Sequence, residues 1–169
     1  MQLTTLNSQR PIPYYAVHKD GIIAGFFGIF RFLSNYEVLW NGVWYEKLLY
    51  PSTENAYQAA KWPIGKRNQF TSISPGASKK LGKEAPNLDV KKWDKMKYSI
   101  MSGLVHQKFK NNDKLRQMLL MTEGCYLEER NSWNDRYWGT DVNGVGENNL
   151  GKILMNVRFN LNLKKSDIF

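Results

Sequence analysis

A chain of 169 residues is long enough for one domain with a real core, and 42% hydrophobic with 14% aromatic content excludes a disordered polypeptide. Lysine and arginine total 24 against 15 acidic residues, a net charge of +9, which favours polyanions or phosphate-bearing ligands. The single cysteine, Cys125, excludes an internal disulfide and a cysteine-rich zinc site. No apolar run has the length of a membrane span, and Met1 to Arg10 lacks a signal-peptide pattern, so a cytoplasmic protein is expected.

Residues 1–20 show no periodicity and are set apart as an N-terminal extension, with the domain proper at 21–169. Gly21 to Phe32, rich in Ile, Phe and Gly, reads as a buried strand or turn. Val38 to Trp44 contains Asn41-Gly42 between apolar flanks, which predicts a β-hairpin with its turn there. Pro51-Ser52 opens a helix capped by Ser52 and ended by Pro63. Further helices are predicted at Gly76 to Gly82, Trp93 to Phe109, Asn112 to Met121 with Asn112 as cap, and Leu150 to Leu161. Cys125 to Asn149, rich in Asn, Asp, Gly and Trp, reads as a long loop, and loops of that length are often functional. The fold class expected is mainly α with a small β-hairpin element, an α+β single domain.

The chemistry-bearing residues are few. No phosphate-binding glycine loop, dinucleotide fingerprint or metal motif is present, so no cofactor and no metal are expected. His106 lies inside a predicted helix, and Cys125 reads as a small buried hydrophobe. What remains is a kit of carboxylates, amides, lysine and tryptophan. Glu54, Gln58 and Lys61 recur at i, i+4, i+7, so on a helix they share one face. From position alone Glu54 reads first as a carboxylate stabilising a helix N-terminus. In a pocket, the same carboxylate could activate water or steady a developing oxocarbenium ion. Asp135 to Asp141 places Trp138 beside Gly139 in a polar loop, a surface for stacking a base or sugar, or else an anchor for the loop. Gly144 to Gly151 opens the last helix, where free N–H groups would suit a phosphate and Asn148 or Asn149 would suit an ordinary cap. The lysine clusters at Lys79, Lys80, Lys83 and at Lys91 to Lys97 suit phosphates better than base edges.

Taken in order, these blocks resemble the NADAR family, one branch of which is the YbiA-like N-glycosidases. Phe32-Leu33-Ser34-Asn35-Tyr36 resembles its F-x-S-N-[FY] segment. Pro51-Ser52-Thr53-Glu54, Gln58-Ala59 and Lys61 resemble P-[ST]-x-E-H-x-x-Q-A-x-K. Trp93, Lys108-Phe109, Leu115 to Thr122, Leu127-Glu128, Asp135, Trp138-Gly139, Gly146, Asn148, Leu150-Gly151 and Arg158 continue the set. Two departures stand out: Asn55 replaces the histidine after the glutamate, and Ser102 replaces an arginine.

The resemblance implies a YbiA-like fold and cleavage of a bond between an anomeric ribose carbon and nitrogen. It implies catalytic roles for Glu54, Lys61 and Asp135, and substrate-binding roles for Phe32, Ser34, Asn35, Gln58, Trp93, Trp138, Gly139 and Asn148. Of Glu54 and Asp135, one would hold ribose hydroxyls and the other activate water. Trp93 and Trp138 would stack the base or bracket the sugar, and Asn148 with the following helix would take phosphate. Lys61 would neutralise charge, or capture the anomeric carbon as a Schiff base. The expected partners are ADP-ribose or another ribosyl phosphate, and nucleic acid, but no membrane. The positive charge favours removal of ADP-ribose from modified guanine in nucleic acid. The alternatives are hydrolysis of a ribosylamino-pyrimidine phosphate of riboflavin biosynthesis, or binding of ADP-ribose without cleavage.

Overall fold

The structure, a computed structural model, describes residues 17–18 and 21–166. In chain order the elements are β1 (Val17–His18), β2 (Ile22–Ala24), a 3-10 helix (Gly28–Leu33), β3 (Val43–Tyr45), β4 (Leu48–Tyr50), α1 (Thr53–Ala60), a second 3-10 helix (Ile64–Phe70), α2 (Pro75–Gly82), α3 (Val90–Lys110), α4 (Asp113–Leu120), β5 (Tyr126–Glu128) and α5 (Asn149–Ser166). Helix dominates and the strands are short, as the sequence pattern predicts. No helix among the described residues is long and apolar enough to cross a membrane.

The chain divides into two compact units, one of the described residues up to Ser34 and from Asp113 onward, the other Asn35–Asn112. In the first unit β2 is the centre of a three-stranded sheet, antiparallel to β1 and parallel to β5, with Ile23 opposite Leu127. The long loop read from the sequence therefore contains a strand. Parallel pairing needs a crossover, and its partners lie about a hundred residues apart, so no local signal announces it. α5 packs Leu150, Ile153, Leu154, Val157 and Leu161 into this unit's core at the helical spacing foreseen. Arg158 ties α5 to the end of α4, its guanidinium donating to the carbonyls of Thr122 at 2.6 Å and Cys125 at 3.0 Å.

In the second unit β3 and β4 form the hairpin, but its turn is not at Asn41-Gly42. The chain reverses at Glu46-Lys47, where φ is 42° and 69°, and Trp44 pairs with Leu49. Gly42 closes an earlier turn instead, with φ 60° and its N–H donating to Leu39 O at 3.2 Å. The residue before that turn is held elsewhere, since Leu39 N–H donates to Pro51 O at 2.8 Å. Gly42 is required twice over, because a Cβ there would lie 2.7 Å from Tyr50 O.

Helix α1 starts as the sequence predicts. Ser52 is its cap, accepting from Asn55 N–H at 3.1 Å while its hydroxyl donates to Asn55 Oδ1 at 2.5 Å. The helix ends at Ala60, and Lys61 is the residue that caps it. α2 is capped by Ser74, with Pro75 in its first turn. α3 is capped by Asp89 and buries Met101, Leu104, Val105 and Phe109. The amide of Asn112, expected to cap α4, donates backward to Lys108 O at 2.8 Å at the end of α3.

Candidate active site

Seven of the eight residues of α1 are buried, and four of the buried ones, Thr53, Glu54, Asn55 and Gln58, are polar. Burying polar groups is unfavourable unless each finds a partner; Glu54, Asn55 and Gln58 each do, while among the described residues the Thr53 hydroxyl has none. Lys61 Nζ donates to Gln58 Oε1 at 2.7 Å, and Gln58 Nε2 donates to Glu54 Oε1 at 2.8 Å. Lysine can only donate and an ionised carboxylate can only accept, so the glutamine amide has one orientation that satisfies both. The three groups form a relay with a cation at one end and a carboxylate at the other.

The relay is walled by aromatic rings. Lys61 Nζ lies 5.5 Å from the Tyr57 ring centre and 5.7 Å from that of Trp93, and the two rings meet at 5.1 Å. Burial pushes the Lys61 amine below its ordinary pKa; the Glu54 charge opposes this, while Lys79 and Lys83 add to the lowering. At the other end, burial and then the Glu54 charge push the Tyr36 phenol up to about 12. Asn35 holds this corner: its carbonyl accepts from Glu54 N–H at 3.0 Å, and its amide donates to Met101 Sδ at 3.3 Å.

Asn55, where the family pattern has histidine, faces other work. Its Nδ2 donates to Phe70 O and Ile73 O, both at 2.9 Å, so it pins the segment leading into α2. Two N–H donors on one nitrogen and an acceptor oxygen suit that position, and the residue takes no part in the relay.

The first unit holds the remaining candidates. Phe32 is a core side chain of the first 3-10 helix, and Ser34 ends that helix, donating from its N–H to Arg31 O at 2.9 Å. Asp135 Oδ1 accepts from Trp138 N–H at 2.9 Å, and Trp138 meets Tyr137 edge to face at 4.9 Å. Asn131 threads the loop together, its Nδ2 donating to Thr140 O and Asp135 O, both at 2.9 Å. Gly139 sits where a Cβ would be 2.0 Å from Glu129 O, so only glycine fits. Asn148 is buried, with Oδ1 accepting from Glu129 N–H at 3.0 Å and Nδ2 donating to Leu127 O at 2.9 Å and Tyr126 OH at 3.1 Å. The N–H groups of Asn148, Asn149 and Leu150 donate to the carbonyls of Gly139, Tyr137 and Trp138 at 3.1, 3.3 and 3.0 Å. The start of α5, expected to offer free N–H groups, has these three engaged by its own loop.

The NADAR domain family matches residues 24–162, spanning both units. The chain belongs to this family. Among curated NADAR relatives, the N-glycosidase YbiA of Shigella boydii is 33% identical over 118 residues, covering 69% of this chain and 73% of that protein. The N-glycosidase Npun_R5314 of Nostoc punctiforme is 32% identical, covering 70% of this chain and 78% of that one. The riboflavin biosynthesis protein VVA0006 of Vibrio vulnificus is 32% identical over 64% of this chain, which corresponds to 30% of that longer protein. The NMR structure of Escherichia coli YbiA superposes with a TM-score of 0.75 at 28% identity, covering 90% of this chain and 91% of the other.

Within the NADAR chain, the sequence points to Glu54, Gln58 and Lys61 on one helix face and, through the resemblance, to Trp93, but it does not single out Tyr57 or Gly82. Tyr57 stands four residues before Lys61, a helical spacing that places both on one face. Gly82 gives no sequence signal at all. A Cβ there would lie 2.0 Å from Gln58 Oε1 and 2.9 Å from Gln58 Cβ, so α2 meets the relay through a glycine.

Proposed function

We propose that the chain is an N-glycosidase that hydrolyses the bond between the anomeric carbon of a phosphate-bearing ribose and a nitrogen. The observation that carries this reading is the Lys61 amine, partly desolvated between Tyr57 and Trp93 and joined through Gln58 to Glu54. The curated relatives named N-glycosidases support it independently.

A ribosylamine can open to an imine at its anomeric carbon. A lysine whose pKa is lowered has more neutral amine available to attack that carbon. The attack forms the Lys61 C–N bond; breaking the bond to the departing nitrogen, which leaves carrying a proton, gives a Schiff base on Lys61. Water then adds to this imine, and its collapse frees the sugar aldehyde and returns the amine. Glu54 is suited to take the proton from water and deliver it back. Trp93 offers its face to the sugar or base. Asp135 and Trp138, given catalytic and stacking roles by the family resemblance, are tested alongside by substitution.

Within this class the substrate we favour is ADP-ribose attached to guanine in nucleic acid, supported by the net charge of +9. A second reading, a ribosylamino-pyrimidine phosphate, is favoured by relatives named riboflavin biosynthesis proteins. Incubation with each substrate separately, following released sugar phosphate, decides between them. Borohydride added during turnover should leave a sugar adduct on Lys61. An active Lys61→Arg enzyme that yields no adduct would sink the Schiff-base route.

A further inference from the structure

Helix α2 carries Lys79 and Lys80, with Lys83 at its C-cap, and its orientation sorts them. Pro75, Ser78 and Gly82 are its buried positions. At about 100° per residue, Lys79 and Lys83 lie roughly 60° to 100° from the centre of that face, on the same flank one turn apart, while Lys80 points about 160° away from it. The buried face is the one that meets Gln58, where Gly82 allows the close approach. The flank bearing Lys79 and Lys83 thus stands beside the relay, and Lys80 does not.

Two further observations place these lysines at the site. Lys79 Nζ lies 5.8 Å from the centre of the Tyr36 ring, and Tyr36 is the phenol raised by the Glu54 charge. Lys79 and Lys83 are both close enough to Lys61 to disfavour its protonated form. Like charges gathered beside Lys61 repel one another, and this arrangement is stabilised when an anion enters.

We propose that Lys79 and Lys83 hold the phosphate of the substrate whose anomeric carbon meets Lys61. This rests on the N-glycosidase reading and extends it by assigning the phosphate to the flank of α2. A 5′-phosphate is only a few bonds from the anomeric carbon of the same ribose, so neighbouring cations beside the reactive amine match the substrate's own geometry. Lysine, a point charge with three donors, suits a phosphate that must be admitted and released. The same two charges add to the burial that lowers the Lys61 pKa, and a bound phosphate would offset their part of it.

The test is titration calorimetry of ADP-ribose and of ribose 5-phosphate into the full chain, its Lys79→Ala/Lys83→Ala variant, the charge-keeping Lys79→Arg/Lys83→Arg variant, and Lys80→Ala. The double alanine variant should bind ADP-ribose at least about a hundredfold more weakly, the loss of two hydrogen bonds to charged groups. The arginine pair should restore most of it, and Lys80→Ala should bind within about twofold of the unaltered protein. An equal loss with ribose 5-phosphate assigns the site to the phosphate on the reacting ribose, and a loss confined to ADP-ribose assigns it to the second phosphate. The first supports the proposal and the second overturns it. Unchanged binding by the double alanine variant, equal weakening by Lys80→Ala, or no binding of either ligand by the unaltered protein overturns it. Lysine-dependent binding without release of any base would refute the N-glycosidase reading alone. Base release with a KM indifferent to the two lysines would refute the phosphate site alone.

Discussion

Replacing Gly82 with alanine adds one methyl group at the point where α2 meets the relay. That carbon would lie 2.0 Å from Gln58 Oε1, 2.7 Å from its Cδ and 2.9 Å from its Cβ. Rotating the amide relieves the first two contacts but not the third, because Cβ is fixed to the backbone of α1. Some displacement of α2 must follow, at a cost of about 1–3 kcal/mol for overpacking, offset by up to about 1 kcal/mol of helix propensity. A net loss of roughly 1–2 kcal/mol corresponds to a Tm lower by about 3–8 °C in a chain of this size. Activity should suffer more. A displaced Gln58 uncouples Lys61 from Glu54, and misplacement on the order of 1 Å can lower a rate by about a hundredfold. Gly76 supplies the control, since a Cβ there meets nothing within 4 Å. Gly76→Ala should hold or raise Tm, by up to about 1 kcal/mol of stability, with unaltered kcat. Thermal denaturation followed by circular dichroism, beside kcat for both variants, reads the two effects. A Gly82→Ala protein with the Tm and kcat of Gly76→Ala would refute the close packing of α2 on the relay.

Three more outcomes are expected. Because the Lys61 pKa is lowered in the folded state, the unfolded chain binds more protons between that lowered value and 10.5. Across that window stability should therefore rise with pH relative to Lys61→Met, as urea titrations at several pH values would show; a flat or falling difference contradicts the burial of this amine. Asn55→His strips the two 2.9 Å donors from Phe70 O and Ile73 O and should cost roughly 2–4 kcal/mol in urea denaturation, with no gain in activity. An Asn55→His protein more active than the original would show that the family histidine has a role this chain has lost. Asn148→Ala leaves Glu129 N–H and Leu127 O without their side-chain partner and should destabilise by about 2–4 kcal/mol. A stability change under about 0.5 kcal/mol would show that this amide does not hold the loop to β5.

The start of α1 was legible because its signals are local. Ser52 caps and Glu54, Gln58 and Lys61 recur at helical spacing, so one turn of backbone determines both. The hairpin was legible in kind but not in place. Asn41-Gly42 does make a turn, yet Leu39 is drawn to Pro51 O, and the reversal moves to Glu46-Lys47, two residues with no turn preference. The β2–β5 pairing was not legible, since three-residue strands carry little pattern and their register is decided by contacts far along the chain. The same limit applies around the relay. Gln58 and Gly82 lie 24 positions apart, and only tertiary packing makes the absence of a side chain at 82 matter. Asn148 read as a cap or a phosphate ligand because its neighbours are glycines, whereas its amide joins the loop to β5, whose residues lie about twenty positions earlier.

The central claim is that the Glu54–Gln58–Lys61 relay cleaves a ribose–nitrogen bond. Its most direct test is the time course of base release from ADP-ribosylated guanine and from a ribosylamino-pyrimidine phosphate, run with the unaltered protein, Glu54→Gln and Lys61→Ala. The relay predicts release of the base from one substrate by the unaltered protein, and rates lower by at least about a hundredfold in each variant although both remain folded. Equal release by all three proteins, or no release from either substrate, would contradict it.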